Sequence, residues 1–528
     1  MESTINELFA NAAARYMQRS ALLEPSDKND MVCLTYGMLQ EQAQNFCGYL
    51  QQQHVQKGDR LLLWAESSTH WMITYLGALL AGAVIVPLDV KSRPDFVTKI
   101  AVVTDARYLI STQKQSATVS PSRLTFIDID ALPSGMFDAA QLPPVHGDDL
   151  AELVFTSGTT GQPKGVILSH NNIASNALAA VSVVNIHSDD RTLSILPLSH
   201  MFEMTIEIAI FSTGASVVYA RTLNANTLLK LLASQHITCM VLVPQALQLF
   251  MHGIESEVRN QKREKQWEML QRVAPHLPFR LRRFLFNPVH KRFGGHFRFF
   301  VSGGAYLPPK LAERWENMGF RVMQGYGATE CSPVVSVTPY NEHNYNSIGK
   351  PLPGEEVRIA EDGELLVHGP NVSLGYWKNP EATATAFHDG WYHSGDLGYK
   401  DEKGNLYLKG RKKNLIVLAN GLNIYPEDIE NALLANPLVK DAIVVGLMEE
   451  DTGPTVHAIL LLNEPDKAKA VIAQANKQLA PHQQIRGFTI WPDEDFPRTH
   501  TLKVKRPEVL DRLHSLRSGN RVRSEREG

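Results

Sequence analysis

The stretch FTSGTTGQPKGV, residues 155–166, decides how the rest of the chain reads. Thr156, Ser157, Gly158, Thr159, Thr160 and Gly161 precede Lys164, so hydroxyls, glycine backbone and one ammonium are packed into a single loop. Such a loop offers side-chain and main-chain donors to anionic oxygens, and its lysine adds a compact point charge. It is not a Walker A loop, which requires G-x-x-x-x-G-K-[ST]. Here Lys164 stands three residues after Gly161, and Gly165 fills the Ser/Thr place. The chemistry must therefore use phosphate in some way other than γ-phosphoryl transfer from a Walker loop.

Outward from the loop, short β-rich runs alternate with helical stretches for about 400 residues. ELVFTS (152–157) leads into the loop as a strand, and NNIASNALAAVSVV (171–184) follows as a helix. RLLLWAES (60–67), AVIVPL (83–88), SVVYA (216–220), ITCMVLV (237–243) and FRFFVSGG (297–304) read as strands, and HWMITYLGALLAG (70–82) reads as a helix. Buried strands alternating with helices predict an α/β fold, here a large N-terminal domain of layered α/β subdomains. GELLVHG (363–369) and GNLYLKG (404–410) have a more antiparallel pattern. Beyond the charged bridge GRKKN (410–414) the pattern becomes helix, strand, strand, helix, which predicts a small mobile α+β C-terminal domain. The expected division is 1–410, a hinge at 411–413 centred on Lys413, 414–510, and a disordered tail over 511–528 with little to bury.

With 528 residues, 44% hydrophobic and 20% charged, the chain has the composition of a multidomain globular protein. Its net charge of −3 argues against broad capture of nucleic acid. Cys33, Cys47, Cys239 and Cys331 are scattered, without metal or disulfide spacing, which fits a reducing cytoplasm. The N-terminus lacks the basic start and apolar run of a signal peptide. The longest apolar run, near LGALLAGAVIVPL (76–88), is too short to cross a bilayer.

Five further segments follow the loop in order: ILPLSHMFEMT (195–205), SGGAYLP (302–308), QGYGATECSP (324–333), WYHSGDLG (391–398) and, after the GRKKN bridge, PRTHTLKVKRPE (497–508). Together with the loop, which matches [ST]-[ST]-G-[ST]-T-G-x-P-K-G at every position, they resemble the adenylate-forming (AMP-binding) superfamily over roughly residues 30–508. The resemblance implies that a carboxylate attacks the α-phosphorus of ATP to give acyl-AMP, after which a thiol takes the acyl group. It places Thr156 to Gly161 and Lys164 on the departing phosphates, Gly303, Gly304 and Ala305 beside adenine, Tyr326 and Gly327 against the purine, Thr329 on the α-phosphate, and Thr159 with Glu330 on Mg2+. A hydroxyl and a carboxylate suit that hard ion. Asp396 would accept both ribose hydroxyls, with Arg411 beside it. Lys503 would be the catalytic lysine, delivered by rotation about Lys413, and Gly421, Leu422 and Asn423 would line a channel for the pantetheine arm of CoA. Two positions depart from the family pattern: Leu502 replaces a glycine, and Asn414 stands where aspartate is frequent.

The S-H-M-F-E form of the segment at His200, with FRFFVSGGA later, is most like long-chain fatty acyl-CoA synthetases. His200 would lie near the substrate carboxylate. The expected reading is an acid–thiol ligase using fatty acid, ATP and CoA. Two alternatives stand beside it: an enzyme that hands its acyl-AMP to an acyl carrier protein, and a non-catalytic nucleotide sensor. The stretch RLRRFLFNPVHKRFGGHFRF (280–299) reads either as a basic amphipathic helix packed on a sheet or as a patch facing a membrane surface or RNA.

Overall fold

The computed structural model describes residues 4–26, 30–119, 124–156, 163–222, 224–418, 422–449, 453–498 and 504–524. The chain divides into two compact units, the first comprising Met1–Arg358, Leu366–His393 and Glu402–Leu406, the second Ile359–Leu365, Ser394–Asp401 and Tyr407–Gly528.

The first unit contains two largely parallel sheets. One has six strands in the order Thr125–Asp128, Tyr108–Ser111, Arg60–Trp64, Val84–Leu88, Leu150–Thr156, Lys164–Ser169. Its first five strands pair in parallel, and the last two form an antiparallel hairpin. The other has nine strands, with the parallel series Arg321–Gly327, Phe299–Ser302, Cys239–Leu242, Arg191–Ser194, Ser216–Tyr219 and Ser20–Pro25 closed at each end by antiparallel strands. Strands such as Val84–Leu88 and Ser216–Tyr219 are buried throughout, as parallel strands covered on both faces must be. The helix Thr69–Leu80 is capped by Ser68, whose Oγ accepts from the Trp71 amide, and it is buried around nearly its whole circumference.

The hairpin changes the expected setting of the Gly/Thr loop. Residues 163 onward do not run directly into a helix. Lys164 opens an antiparallel strand, and the helix His170–Val184 begins only after it. Lys164 is therefore held by the sheet, in register with Thr156.

The 363–369 and 404–410 runs supply the strands Glu364–His368 and Leu406–Arg411 of a five-stranded sheet. In the second unit, Val439–Glu449, Gly453–Leu462 and Gly487–Ile490 form a three-stranded sheet. Alternation along its strands splits the core into two faces. Val444, Ala458 and Leu460 pack with Ile429, Leu433 and Val471, while Ile443, Ile459 and Leu461 pack with Trp491, Phe496, Val509 and Leu513. The last two residues alter the reading of the C-terminus. Residues expected as a tail from 511 belong to a helix, Arg506–Ser524. Val509 and Leu513, four apart, bury on the sheet, and each such side chain contributes about 1.5–3 kcal/mol.

Candidate active site

The first unit brings three segments of the loop motif's neighbourhood together. Thr156 Oγ1 donates to the Lys164 carbonyl at 3.5 Å across the hairpin. The Lys164 ammonium lies 4.8 Å from the centre of the Tyr376 ring. The Tyr376 hydroxyl donates to Glu330 Oε1 at 2.8 Å, and the Ser373 amide donates to the Glu330 carbonyl. One tyrosine thus joins the lysine of the loop to the acidic residue of QGYGATECSP, with the cation on its ring face and the anion on its hydroxyl. Burial, then the Glu330 charge, raise the Tyr376 phenol far above its usual range, so it remains a donor at any working pH. Tyr376 was not among the residues singled out from sequence. It sits in SLGYWKNP, which carries no periodic or spacing signal.

Glu330 and Thr329 are presented by a single 3-10 turn, Thr329–Cys331, at the end of the strand Arg321–Gly327. The strand can turn there only because Gly327 lacks a side chain. A Cβ on it would lie 1.8 Å from the Pro333 carbonyl oxygen. Tyr326, one residue earlier, is largely buried on the strand. Cys331, beside Glu330, is fully buried, consistent with a thiol that takes no part in the chemistry.

Gly303, Gly304 and Ala305 follow the strand Phe299–Ser302. Gly304 adopts φ +78°, and a Cβ on Gly303 would press on the Phe202 ring at 3.0 Å. That contact sets the SGGA segment against the residues after His200. His200 caps the helix Met201–Thr213, with its Nε2 3.7 Å from Asp89 Oδ2. Asp89, far away in sequence, gave no hint of this. Within the same helix, Glu203 and Glu207 are buried. Burial pushes the Glu203 carboxyl up to about 8; burial and then the neighbouring Glu203 also push the Glu207 carboxyl well above its usual range. Tyr219 donates its hydroxyl to Glu207 Oε2 at 2.8 Å. Sequence reading missed this pair as well.

The second unit holds the remaining described residues. Asp396 lies on the strand Trp391–Lys400, nearly buried, and receives Arg411 Nε on Oδ1 at 2.8 Å. Its amide donates to Ser394 Oγ. Lys412 reaches Asp362 at 2.5 Å and Glu364 at 3.1 Å, whereas the Lys413 ammonium is held below its usual range by burial, then by Arg411. Asn414 Nδ2 donates to Glu427 Oε1 at 3.4 Å, so the asparagine makes a hydrogen bond where a carboxylate would face another carboxylate. Asn423 begins the two-residue strand Asn423–Ile424, paired with Ile416–Val417, and Leu422 just before it is exposed. Ser157, Gly158, Thr159, Thr160, Gly161, Gly421, Leu502 and Lys503 lie outside the described residues.

Among the described residues, no group of three or more His, Cys, Asp or Glu side chains could hold a metal ion, and no helix is long and apolar enough to cross a membrane.

Comparison with known proteins accords with this arrangement. The family model for AMP-binding enzymes matches residues 9–377, and that for the AMP-binding enzyme C-terminal domain matches 428–503. The chain is 31% identical to a long-chain-fatty-acid–CoA ligase of Mycobacterium bovis, covering 87% of this chain and 88% of the relative. It is 30% identical to a 2-succinylbenzoate–CoA ligase of Bacillus velezensis, covering 88% and 89%. The solved structure of ATP-bound MatB from Rhodopseudomonas palustris superimposes with a TM-score of 0.80 at 25% identity, covering 96% of this chain and 98% of that one. With the loop, its tyrosine-linked glutamate and both domain matches in place, the chain belongs to the family of AMP-binding enzymes.

Proposed function

We propose that the chain activates a fatty acid with ATP and then forms its CoA thioester. The observation that carries this reading is the row Lys164–Tyr376–Glu330, which sets a phosphate-seeking cation and a carboxylate on one tyrosine. In the first step a carboxylate oxygen attacks the α-phosphorus, the bond to the β-phosphate oxygen breaks, and pyrophosphate leaves. In the second, the CoA sulfur attacks the acyl carbon, the acyl–oxygen bond breaks, and AMP leaves. Two anions must approach first, and at 4 Å their repulsion is about 4 kcal/mol at an intermediate dielectric.

The residues divide that work. Lys164 and the donors of 156–161 hold the phosphates that depart. Thr329 bonds the α-phosphate, and Gly303, Gly304, Ala305, Tyr326 and Gly327 bound the adenine. The Arg411 contact fixes the Asp396 carboxylate for the ribose hydroxyls. His200, steered by Asp89, positions the acid. Lys503 bridges carboxylate and phosphate in the first step and gives way to the pantetheine arm, along 421–423, in the second, with 411–413 as hinge between 1–410 and 414–510. Glu330, with Thr159, fits magnesium: the ion takes much of its shell from water and phosphate and needs only one or two protein oxygens, and Tyr376 already orients one oxygen of Glu330. When bound, Mg2+ supplies positive charge against the phosphates.

The fatty acid is supported by the apolar helix after His200 and by the activity named for the Mycobacterium bovis relative. A cytoplasmic site of action, where ATP and CoA are abundant, accords with it. The test is AMP formation over straight-chain acids from acetate to stearate, with CoA or with an acyl carrier protein. Long-chain acids with CoA are expected to lead. Preferential loading of the carrier protein, or no AMP from any acid, would overturn the proposal. Lys503→Ala is expected to slow acyl-AMP formation roughly 100- to 1,000-fold while sparing thioester formation from supplied acyl-AMP.

A further inference from the structure

We infer that the helical excursion between the strands Cys239–Leu242 and Phe299–Ser302 is a docking face for an anionic lipid bilayer. The chain as a whole is slightly acidic, yet no Asp or Glu occurs between Glu268 and Glu313. The six lysines and arginines from Arg280 to Arg298 within that interval are of two kinds. Arg282, Arg283 and Arg298 are spent internally: Arg282 on the Leu277 and Pro275 carbonyls, Arg283 on those of Phe297 and Gly295, and Arg298 on Asp190. Arg280, Lys291 and Arg292 are exposed and make no ion pair or hydrogen bond with another described side chain. These three have no structural task inside the fold.

They share their surface with apolar side chains that the fold also leaves uncovered. In the helix Phe279–Leu285, Phe284 is 79% exposed and Leu281 52% exposed, with Arg280 on the same side by helical spacing. The next helix, Asn287–Arg292, buries Val289 and His290 and turns Pro288, Lys291 and Arg292 outward. The excursion is anchored from below by Phe286, Val289 and Phe293, which belong to the aromatic core around Trp315 and Phe320. The basic stretch is thus half core and half exposed surface.

The combination selects the occupant. A phenylalanine and a leucine standing in water among unpaired cations match the interface of a bilayer, where rings enter the acyl boundary while lysine and arginine reach lipid phosphates. A nucleic acid or an acidic protein would engage the cations but would leave Leu281 without a partner of its own kind. None of these residues is among those assigned to the nucleotide in the proposed function, so the inference does not depend on that reaction.

The experiment is co-sedimentation of the full chain with vesicles of phosphatidylcholine alone and of phosphatidylcholine mixed with phosphatidylglycerol. Binding is expected to the anionic vesicles only, and to weaken as salt is raised. Each cation removed is expected to weaken binding about five-fold, so the variant combining Arg280→Ala, Lys291→Ala and Arg292→Ala loses about a hundred-fold. Phe284→Ala is expected to lose roughly ten-fold or more, through apolar area alone and with little effect on salt dependence. All these positions are exposed, and turnover of a short, water-soluble acid serves as the check that each variant is folded. Equal binding to neutral and anionic vesicles, no vesicle binding, a triple variant that binds as the parent does, or retention on heparin without vesicle binding would each overturn the inference.

Discussion

Replacing Tyr376 by phenylalanine separates the two things this side chain does. The substitution keeps the ring, and with it the Lys164 contact at 4.8 Å, but deletes the hydroxyl that donates to Glu330 at 2.8 Å. A hydrogen bond to a charged group is worth about 1.5–3 kcal/mol. At about 1.4 kcal/mol per decade, that corresponds to a fall of roughly 10- to 150-fold in any step that requires Glu330 to be oriented. Nucleotide affinity, which the proposed site spreads over the loop with Lys164, the adenine-side residues and Asp396, none of them changed here, should change about two-fold or less. The assay is pyrophosphate release with saturating fatty acid, run as a magnesium titration, alongside direct measurement of ATP binding. Glu330→Ala and the double variant complete a cycle in which the two effects are far from additive, because each substitution breaks the same bond. Parental rates for Tyr376→Phe throughout the magnesium titration, or strict additivity with Glu330→Ala, would refute the claim that the tyrosine acts through the glutamate.

Two other outcomes follow from particular contacts. Gly327→Ala would place a methyl group 1.8 Å from the Pro333 carbonyl oxygen, so backbone must move; a stability loss at or beyond the upper end of about 1–3 kcal/mol is expected by thermal melting, together with loss of ATP binding as Thr329 and Glu330 are displaced. Glu152 is buried and accepts the Tyr75 hydroxyl at 2.5 Å, and desolvation raises its carboxyl from 4.5 to about 7. The folded state therefore holds the proton more tightly than the unfolded state, and this group's favourable contribution, full below about 4.5, is lost as pH rises through about 7. Glu152→Gln removes the titration and keeps an acceptor, so relative to the parent it should gain up to about 3 kcal/mol between pH 5 and pH 8 in melts, and an unchanged difference between the two pH values would contradict the linkage.

Much of the fold was legible because its strands are short apolar runs closed by glycine or polar residues, and because the motifs fall in a fixed order along one chain. The loop announced itself through composition alone. Its hairpin did not: KGVILS is too brief to declare a direction, and antiparallel pairing with ELVFT arises from tertiary register. The C-terminal helix was missed because, among its described side chains, only Val509 and Leu513 bury, too sparse a pattern amid arginines and serines. Tyr376 meets Glu330, and Asp89 approaches His200, from distant segments, and one sequence contains no record of such contacts. Glu203 and Glu207 did leave a trace. Two acids four apart in the apolar run MFEMTIEIAIF must share a buried face, and a buried face demands a partner such as Tyr219.

The account stands on attack at the α-phosphorus by a carboxylate oxygen, and isotope transfer reads that event itself. A long-chain fatty acid labelled with 18O in both carboxylate oxygens is turned over with ATP and CoA, and the products are weighed by mass spectrometry. The account predicts one 18O in the phosphate of AMP, unlabelled pyrophosphate, and the second 18O in the acyl-CoA carbonyl. Label in inorganic phosphate with ADP as the nucleotide product, or AMP carrying no label, would contradict it.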